Sequence, residues 1–105
     1  MDTGTRRRDA AALSDYRLFE TRTFQTDLDR LGAAAPRRIR LTLEGRVYPL
    51  LRAGPRQVPS AARLRDWEPA TWRIRIGSWR VFYEIDDEKQ IVFLTAADYR
   101  KDAYP

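Results

Sequence analysis

Two short runs of alternating apolar and polar residues, separated by Gly77-Ser78, constrain the fold of this chain more than any other feature. The first run is Trp72–Ile76 and the second covers residues 79–85. Two such runs joined by two residues that include glycine are typical of a tight β-hairpin. Because side chains alternate between the two faces of a strand, one face of this hairpin is apolar and the other carries arginines. The sequence therefore predicts a ribbon whose apolar face is covered by other elements.

The turn also fixes the register of the predicted hairpin. Counting outward from Gly77-Ser78 gives three apolar pairs on one face: Ile76 with Trp79, Ile74 with Val81, and Trp72 with Tyr83. We expect this face, including both tryptophans, to pack against helices as core.

The other face of the hairpin places Arg75 directly opposite Arg80, with Arg73 beside them. Two guanidinium groups about 5 Å apart repel by about 0.8 kcal/mol in water and by about 3 kcal/mol when partly buried. A shared phosphate would relieve this repulsion, because the planar donor fork of arginine fits phosphate well. The alternative is a solvated face whose arginines splay apart or reach acidic neighbours.

Length and composition limit the possible classes of protein. A chain of 105 residues with 43% hydrophobic residues forms one folded domain, and no apolar run approaches the length of a membrane span. The absence of cysteine and histidine excludes thiol chemistry and disfavours metal catalysis, so we expect no metal and no cofactor. The net charge of +5 indicates a polyanionic partner. The first residues lack the apolar segment of a secretory signal, which predicts a cytoplasmic protein.

The N-terminal half predicts one strand followed by two helices. Residues 1–15 are polar and basic and are expected to form a mobile arm before a single domain over residues 16–105. Residues 16–21 alternate as a strand, after which Thr23 is the expected cap of a helix that ends at Gly32. Pro36 opens a second helix. Its expected apolar stripe consists of Ile39, Leu43, Val47, Leu50 and Leu51.

Two residues interrupt the second predicted helix, and the order of the later segments completes the predicted fold. Gly45 and Pro49 predict that the second helix kinks or ends near Tyr48. A short strand at Arg63-Leu64-Arg65, the hairpin, an acidic turn and a last strand over residues 90–97 follow. The prediction is an α+β fold in which an N-terminal strand and a two-helix hairpin pack on one face of a twisted, mainly antiparallel sheet of four to five strands.

The hairpin and its flanking segments resemble the RelE/ParE superfamily of toxins from type II toxin–antitoxin systems. The resemblance rests on Leu64-Arg65, Trp72–Ile76 with Gly77, residues 79–85, an acidic turn, an apolar strand and the ending Tyr99-Arg100-Lys101-Asp102-Ala103-Tyr104. It covers residues 16–104 and implies a RelE/ParE-like fold and a cognate antitoxin as partner. RelE-like members, to which the chain is more similar, enter the ribosomal A site and cleave messenger RNA.

The resemblance also implies roles for particular residues. The catalytic residues it implies are Arg73 and Arg75 on the third strand, Arg80 at the start of the next strand, and the C-terminal pair Arg100 and Tyr104. Further RNA contacts are expected from Arg63, Arg65 and Lys101. The chain departs from the family in two places. The third-strand pair is often lysine in relatives, and many relatives carry histidine where this chain has Tyr99.

These departures bear on how RNA would be cleaved. Attack by a 2′-hydroxyl needs a base, neutralisation of the pentavalent phosphate, and protonation of the leaving oxygen. Arginine remains protonated and cannot serve as the base. The remaining candidates are Tyr104, which we prefer, and the carboxylates Glu84 and Asp98. The alternatives are that the Tyr104 ring packs over the sheet edge and that Glu84 forms a structural ion pair with Arg73 or Arg75.

Three functions from different classes remain open from the sequence. The first is a ribosome-dependent mRNA endoribonuclease, whose partners are mRNA, the ribosome and an antitoxin. The second is a ParE-like inhibitor of DNA gyrase without nuclease chemistry, and the third is a non-toxic RNA-binding domain. The presence of all five expected catalytic residues favours the nuclease, because a pure inhibitor would not require them all.

Overall fold

The computed structural model describes residues 15–30 and 35–99, and it contains a mixed sheet of five strands. The strands are β1 (Arg17–Glu20), β2 (Ala61–Arg63), β3 (Trp72–Ile76), β4 (Trp79–Asp86) and β5 (Ile91–Tyr99), in the order β1-β5-β4-β3-β2. Only the β1–β5 pairing is parallel. The helices are α1 (Arg22–Arg30), α2 (Ala35–Thr42) and α3 (Tyr48–Ala53). This arrangement confirms the predicted α+β fold.

The predicted register of the hairpin is confirmed. Ile76 pairs with Trp79, Ile74 with Val81, Trp72 with Tyr83, and Arg75 with Arg80. The apolar partners join the buried side chains of the helices in one core, in which Tyr83 is fully buried and Trp72 is partly buried. The opposite face of the sheet is therefore the one left open by the helices.

The irregularity that Gly45 and Pro49 predict is a π-helical turn rather than the end of a helix. This turn (Leu43–Val47) connects α2 to α3, so the chain remains helical from Ala35 to Ala53. The Tyr48 N–H donates to the Leu43 carbonyl, one residue further back than in an α-helix. Pro49 follows this turn directly as the second residue of α3, and because it has no N–H it leaves one helical hydrogen bond unmade there.

The predicted cap of the first helix at Thr23 is wrong. Helix α1 begins at Arg22, and the Thr21 hydroxyl accepts a hydrogen bond from the Phe24 N–H at 3.2 Å. Thr21 is held in place by strand β5, because its own N–H and hydroxyl donate to the Leu94 carbonyl at 3.0 and 2.9 Å. The expected helix end at Gly32 and residues 1–14 of the predicted arm lie outside the described residues.

The burial of two helical side chains and the bounds of two strands also differ from the sequence prediction. Leu50 is 46% exposed and Tyr48 is buried instead, since the wider π turn changes which side chains face the sheet. Strand β2 lies at Ala61–Arg63 rather than two residues later, and β5 extends to Tyr99.

Within the described residues, none of the helices has the length and apolar character that crossing a bilayer requires.

A hydrogen-bonded cluster around Glu20 connects β1 to α2 and α3. Arg40 Nη1 donates to the two Glu20 carboxylate oxygens at 3.2 and 3.1 Å, and the Tyr48 hydroxyl donates to Oε2 at 2.6 Å. Burial alone raises the pKa of Glu20, but the hydrogen bonds from Tyr48 and Arg40 outweigh it and lower the pKa below its ordinary value of 4.5. The folded protein therefore favours the ionised carboxylate.

We expect Glu20→Gln to destabilise the protein by about 1–3 kcal/mol at neutral pH, because it weakens charge-assisted hydrogen bonds. The pKa of Glu20 is lower in the folded than in the unfolded chain, so its contribution is present above the ordinary pKa and disappears as pH falls through the folded pKa. Urea denaturation at neutral pH and near pH 3 measures the difference. Equal losses at both pH values would contradict the assignment, and the exposed Asp29→Asn variant is the control.

Candidate nucleic-acid interface

The face of the sheet opposite the helices carries the three arginines of the hairpin. Arg73 and Arg75 flank the buried Ile74 on β3, and Arg80 lies directly opposite Arg75 on β4. Arg75 is exposed, whereas Arg73 and Arg80 are half-buried. We call the surface formed by Arg73, Arg75 and Arg80 the arginine face.

Arg80 has an acidic partner on the neighbouring strand. Its Nη2 donates to Oδ2 of Asp98, which lies directly opposite on β5. A β-bulge between Phe82 and Tyr83 sets this register. Phe82 pairs with Ala96, whereas Tyr83 pairs with Leu94. Arg80 therefore follows the alternative that the sequence left open, in which an arginine reaches an acidic neighbour.

The arginine face still has unused hydrogen-bond donors. The Nε atoms of Arg73 and Arg80 are buried and have no hydrogen-bond partner among the described residues. A buried donor without a partner costs about 1–3 kcal/mol. An anion bound beside β3 and β4 would supply acceptors for these groups, and a phosphate oxygen fits a guanidinium donor well.

Glu84 lies on the same face of β4 as Arg80 and Phe82, two residues beyond Phe82. Within residues 15–30 and 35–99, Glu84 forms no ion pair with Arg73 or Arg75, so the expected structural pair is absent from that part of the chain. The same two ranges contain no cluster of acidic side chains able to hold a metal ion.

Two aromatic side chains belong to this surface and were not identified from the sequence. Phe82 lies directly opposite Arg73, and the guanidinium carbon of Arg80 is 5.8 Å from the centroid of its ring. Trp67, from the loop before β3, stacks nearly parallel on Phe82, with 6.3 Å between ring centroids and 10° between planes. The parity of Phe82 with Arg80 could have indicated its position, but no local pattern shows that Trp67 folds back over it.

The other predicted site residues lie in or just after β2 and at the C-terminal end of the sequence. Arg63 pairs with Trp72, and cross-strand partners share a face, so Arg63 lies on the side of the sheet opposite to Arg73. Arg65 is exposed in the turn that follows β2. Tyr99 lies on the helix side, 5.1 Å from Trp79 between ring centroids. The remaining predicted residues, Arg100, Lys101 and Tyr104, lie outside the described residues.

A second charged cluster, at the turn between β4 and β5, is structural. Arg56 donates to both carboxylate oxygens of Asp87 at 3.0 and 2.8 Å, and the Tyr16 hydroxyl donates to Asp87 at 2.7 Å. The hydrogen bonds from Arg56 and then Tyr16 lower the pKa of Asp87 to about 2. This cluster connects the loop after α3, the start of β1 and the β4–β5 turn.

The fold is that of a RelE/ParE superfamily toxin. The chain belongs to the ParE toxin family, since residues 18–104 match the family model for the ParE toxin of the type II toxin–antitoxin system parDE. It is thus the toxin component of a type II toxin–antitoxin pair. No curated protein sequence matches the chain.

Several solved structures share the fold. The RelBE2 toxin–antitoxin complex of Mycobacterium tuberculosis is 28% identical, with a TM-score of 0.63 over 82% of this chain and 92% of that chain. The intact RelBE complex of E. coli is 24% identical, with a TM-score of 0.60 over 80% of this chain and 95% of that chain. The RelE–RelB complex of Pyrococcus horikoshii is 22% identical, with a TM-score of 0.60 over 83% and 97%. Toxins of this fold are thus found bound to antitoxins, which supports a cognate antitoxin as partner.

Proposed function

We propose that this toxin is a RelE-like, ribosome-dependent mRNA endoribonuclease that acts in the cytoplasm and is neutralised by a cognate antitoxin. The observation that carries the proposal is the arginine face itself. It combines three guanidinium groups on an open sheet surface with two buried Nε donors that have no partner among the described residues. A phosphodiester of RNA is an anion that such a surface would bind.

The proposed chemistry assigns charge stabilisation to the arginine face. When a 2′-hydroxyl attacks the neighbouring phosphate, negative charge builds up on the pentavalent phosphorus centre. Arg73, Arg75 and Arg80 would neutralise that charge through hydrogen bonds that strengthen in the transition state. Arg65 and Lys101 would contact the flanking RNA backbone.

The proton transfers need other groups, because the arginines remain protonated. We assign the base to Tyr104, with Arg100 beside the phosphate, on the strength of the family resemblance. Asp98 and Glu84 are the other candidates, and both share the arginine face. An external scaffold that orients the 2′-hydroxyl would supply the positioning that a site without histidine lacks. The ribosome is the scaffold that the resemblance implies.

A second candidate function is inhibition of DNA gyrase. It is favoured by the match of residues 18–104 to the ParE family and by Asp98, which neutralises one of the three arginines. In that case the arginine face would be a docking surface for a protein and would perform no chemistry.

The test is expression of the toxin in cells without antitoxin. We expect growth arrest with cuts in messenger RNA inside translated regions, mapped by primer extension. Arg75→Ala should reduce the cuts at least about tenfold, because an exposed guanidinium that contacts phosphate contributes about 1.5–3 kcal/mol. Arg52→Ala, an exposed arginine on α3, is the matched control. Intact messages together with relaxed or broken chromosomal DNA would support gyrase inhibition instead.

A further inference from the structure

The loop between β2 and β3 holds Trp67 in a defined position. The Leu64 N–H donates to the Thr71 carbonyl at 2.9 Å, which closes the loop at its base. The buried Thr71 donates its hydroxyl to the Pro69 carbonyl at 2.9 Å. Trp67 is thereby stacked on Phe82 across the sheet face, yet its side chain remains 53% exposed.

A large exposed aromatic ring beside charged groups indicates a contact surface rather than core. Burying an indole contributes considerably to stability, and a loop held by hydrogen bonds could have buried this one. The ring lies instead beside Phe82, whose neighbours include Arg73 and Arg80. Parallel aromatic rings next to guanidinium groups match the two parts of a nucleotide, a base that stacks and a phosphate that accepts hydrogen bonds.

We propose that Trp67 is a stacking platform for one base of a single-stranded RNA whose phosphate binds the arginine face. The inference rests on the proposed function, since it requires that the arginine face bind RNA. Trp67 and Arg80 both lie against the Phe82 ring, which places the exposed indole beside the arginine face. Stacking tolerates any base, so Trp67 contributes affinity and positioning with little preference for sequence.

The experiment measures binding of purified toxin to short RNA that it cannot cleave. A fluorescently labelled hexanucleotide with 2′-O-methyl groups keeps bases and phosphates but removes the attacking hydroxyl. A matched series lacks one base at each position in turn. Anisotropy titrations compare the wild type with Trp67→Ala, Trp67→Phe and Arg75→Ala, after thermal denaturation has shown that each variant is folded.

We expect Trp67→Ala to weaken binding about ten- to a hundredfold, and Trp67→Phe to keep most of the affinity. Removing one particular base should weaken the wild type by the same factor and should have no further effect on Trp67→Ala. This lack of additivity identifies the base that stacks on Trp67.

The outcomes separate this inference from the proposed function. If Arg75→Ala weakens RNA binding while Trp67→Ala binds as tightly as the wild type, the stacking platform is wrong and the nuclease proposal stands. If Trp67→Ala weakens only the complex with the antitoxin, the surface is a protein contact and the inference is overturned. If the wild type binds none of these oligonucleotides, the stacking platform is overturned, whereas the nuclease proposal is decided separately by cleavage of ribosome-bound mRNA.

Discussion

Replacing Arg80 with alanine is expected to slow mRNA cleavage about a hundred- to a thousandfold, which corresponds to about 3–4 kcal/mol of lost transition-state stabilisation. The reason is that Arg80 lies on the arginine face, opposite Arg75 and next to Phe82. Single-turnover cleavage of an mRNA held in purified ribosomes measures the rate. Arg80→Lys keeps the charge but loses the planar fork, so we expect it to restore only part of the rate.

The same substitution affects folding, and this effect needs its own control. From the sequence alone, removing Arg80 should leave stability unchanged or slightly improved, because it relieves repulsion from Arg75. The ion pair with Asp98 offsets this relief, and since both groups are partly exposed we expect a net loss of no more than about 1 kcal/mol. A loss above about 2 kcal/mol with unchanged RNA binding and cleavage would make Arg80 a structural residue.

Trp79→Ala is expected to cost about 3–5 kcal/mol of stability, because it removes a large side chain from the core. Trp79 is 7% exposed and contacts Tyr99 on the helix side of the sheet. Small domains are stable by about 5–15 kcal/mol in total, so the loss would be a large fraction. Urea denaturation followed by circular dichroism measures it.

Trp67→Ala is the matched control for this prediction, because it removes the same side chain from a position that is 53% exposed. We expect it to cost less than about 1 kcal/mol. Similar losses for the two variants would mean that the register of the hairpin is wrong, since that register is what buries Trp79 and leaves the opposite face open.

The parts of the fold that the sequence predicted are those set by local rules. The Gly77-Ser78 turn and the alternation on either side of it determine which residues pair, so Arg75 opposite Arg80 could be derived by counting. The cap of α1 could not, because Thr21 and Thr23 are both suitable caps. The choice between them depends on the contact of Thr21 with Leu94, which is more than seventy residues away in the chain.

The same distinction between local rules and long-range packing applies to the candidate site. Strand parity places Arg73, Arg75 and Arg80 on one face, whereas Asp98 reaches Arg80 only because of the bulge beside Phe82. The position of Trp67 was not predicted, since its stacking on Phe82 depends on how a loop of irregular backbone closes. Features that depend on long-range packing are therefore the ones that the sequence did not reveal.

The most direct test of the proposed function compares two purified targets under the same conditions. Toxin freed from its antitoxin is added to ribosomes carrying a defined mRNA and, separately, to DNA gyrase with a relaxed plasmid. We predict cleavage of the ribosome-bound mRNA, little cleavage of the same RNA without ribosomes, and unimpaired supercoiling. Intact mRNA together with loss of supercoiling would contradict the nuclease proposal.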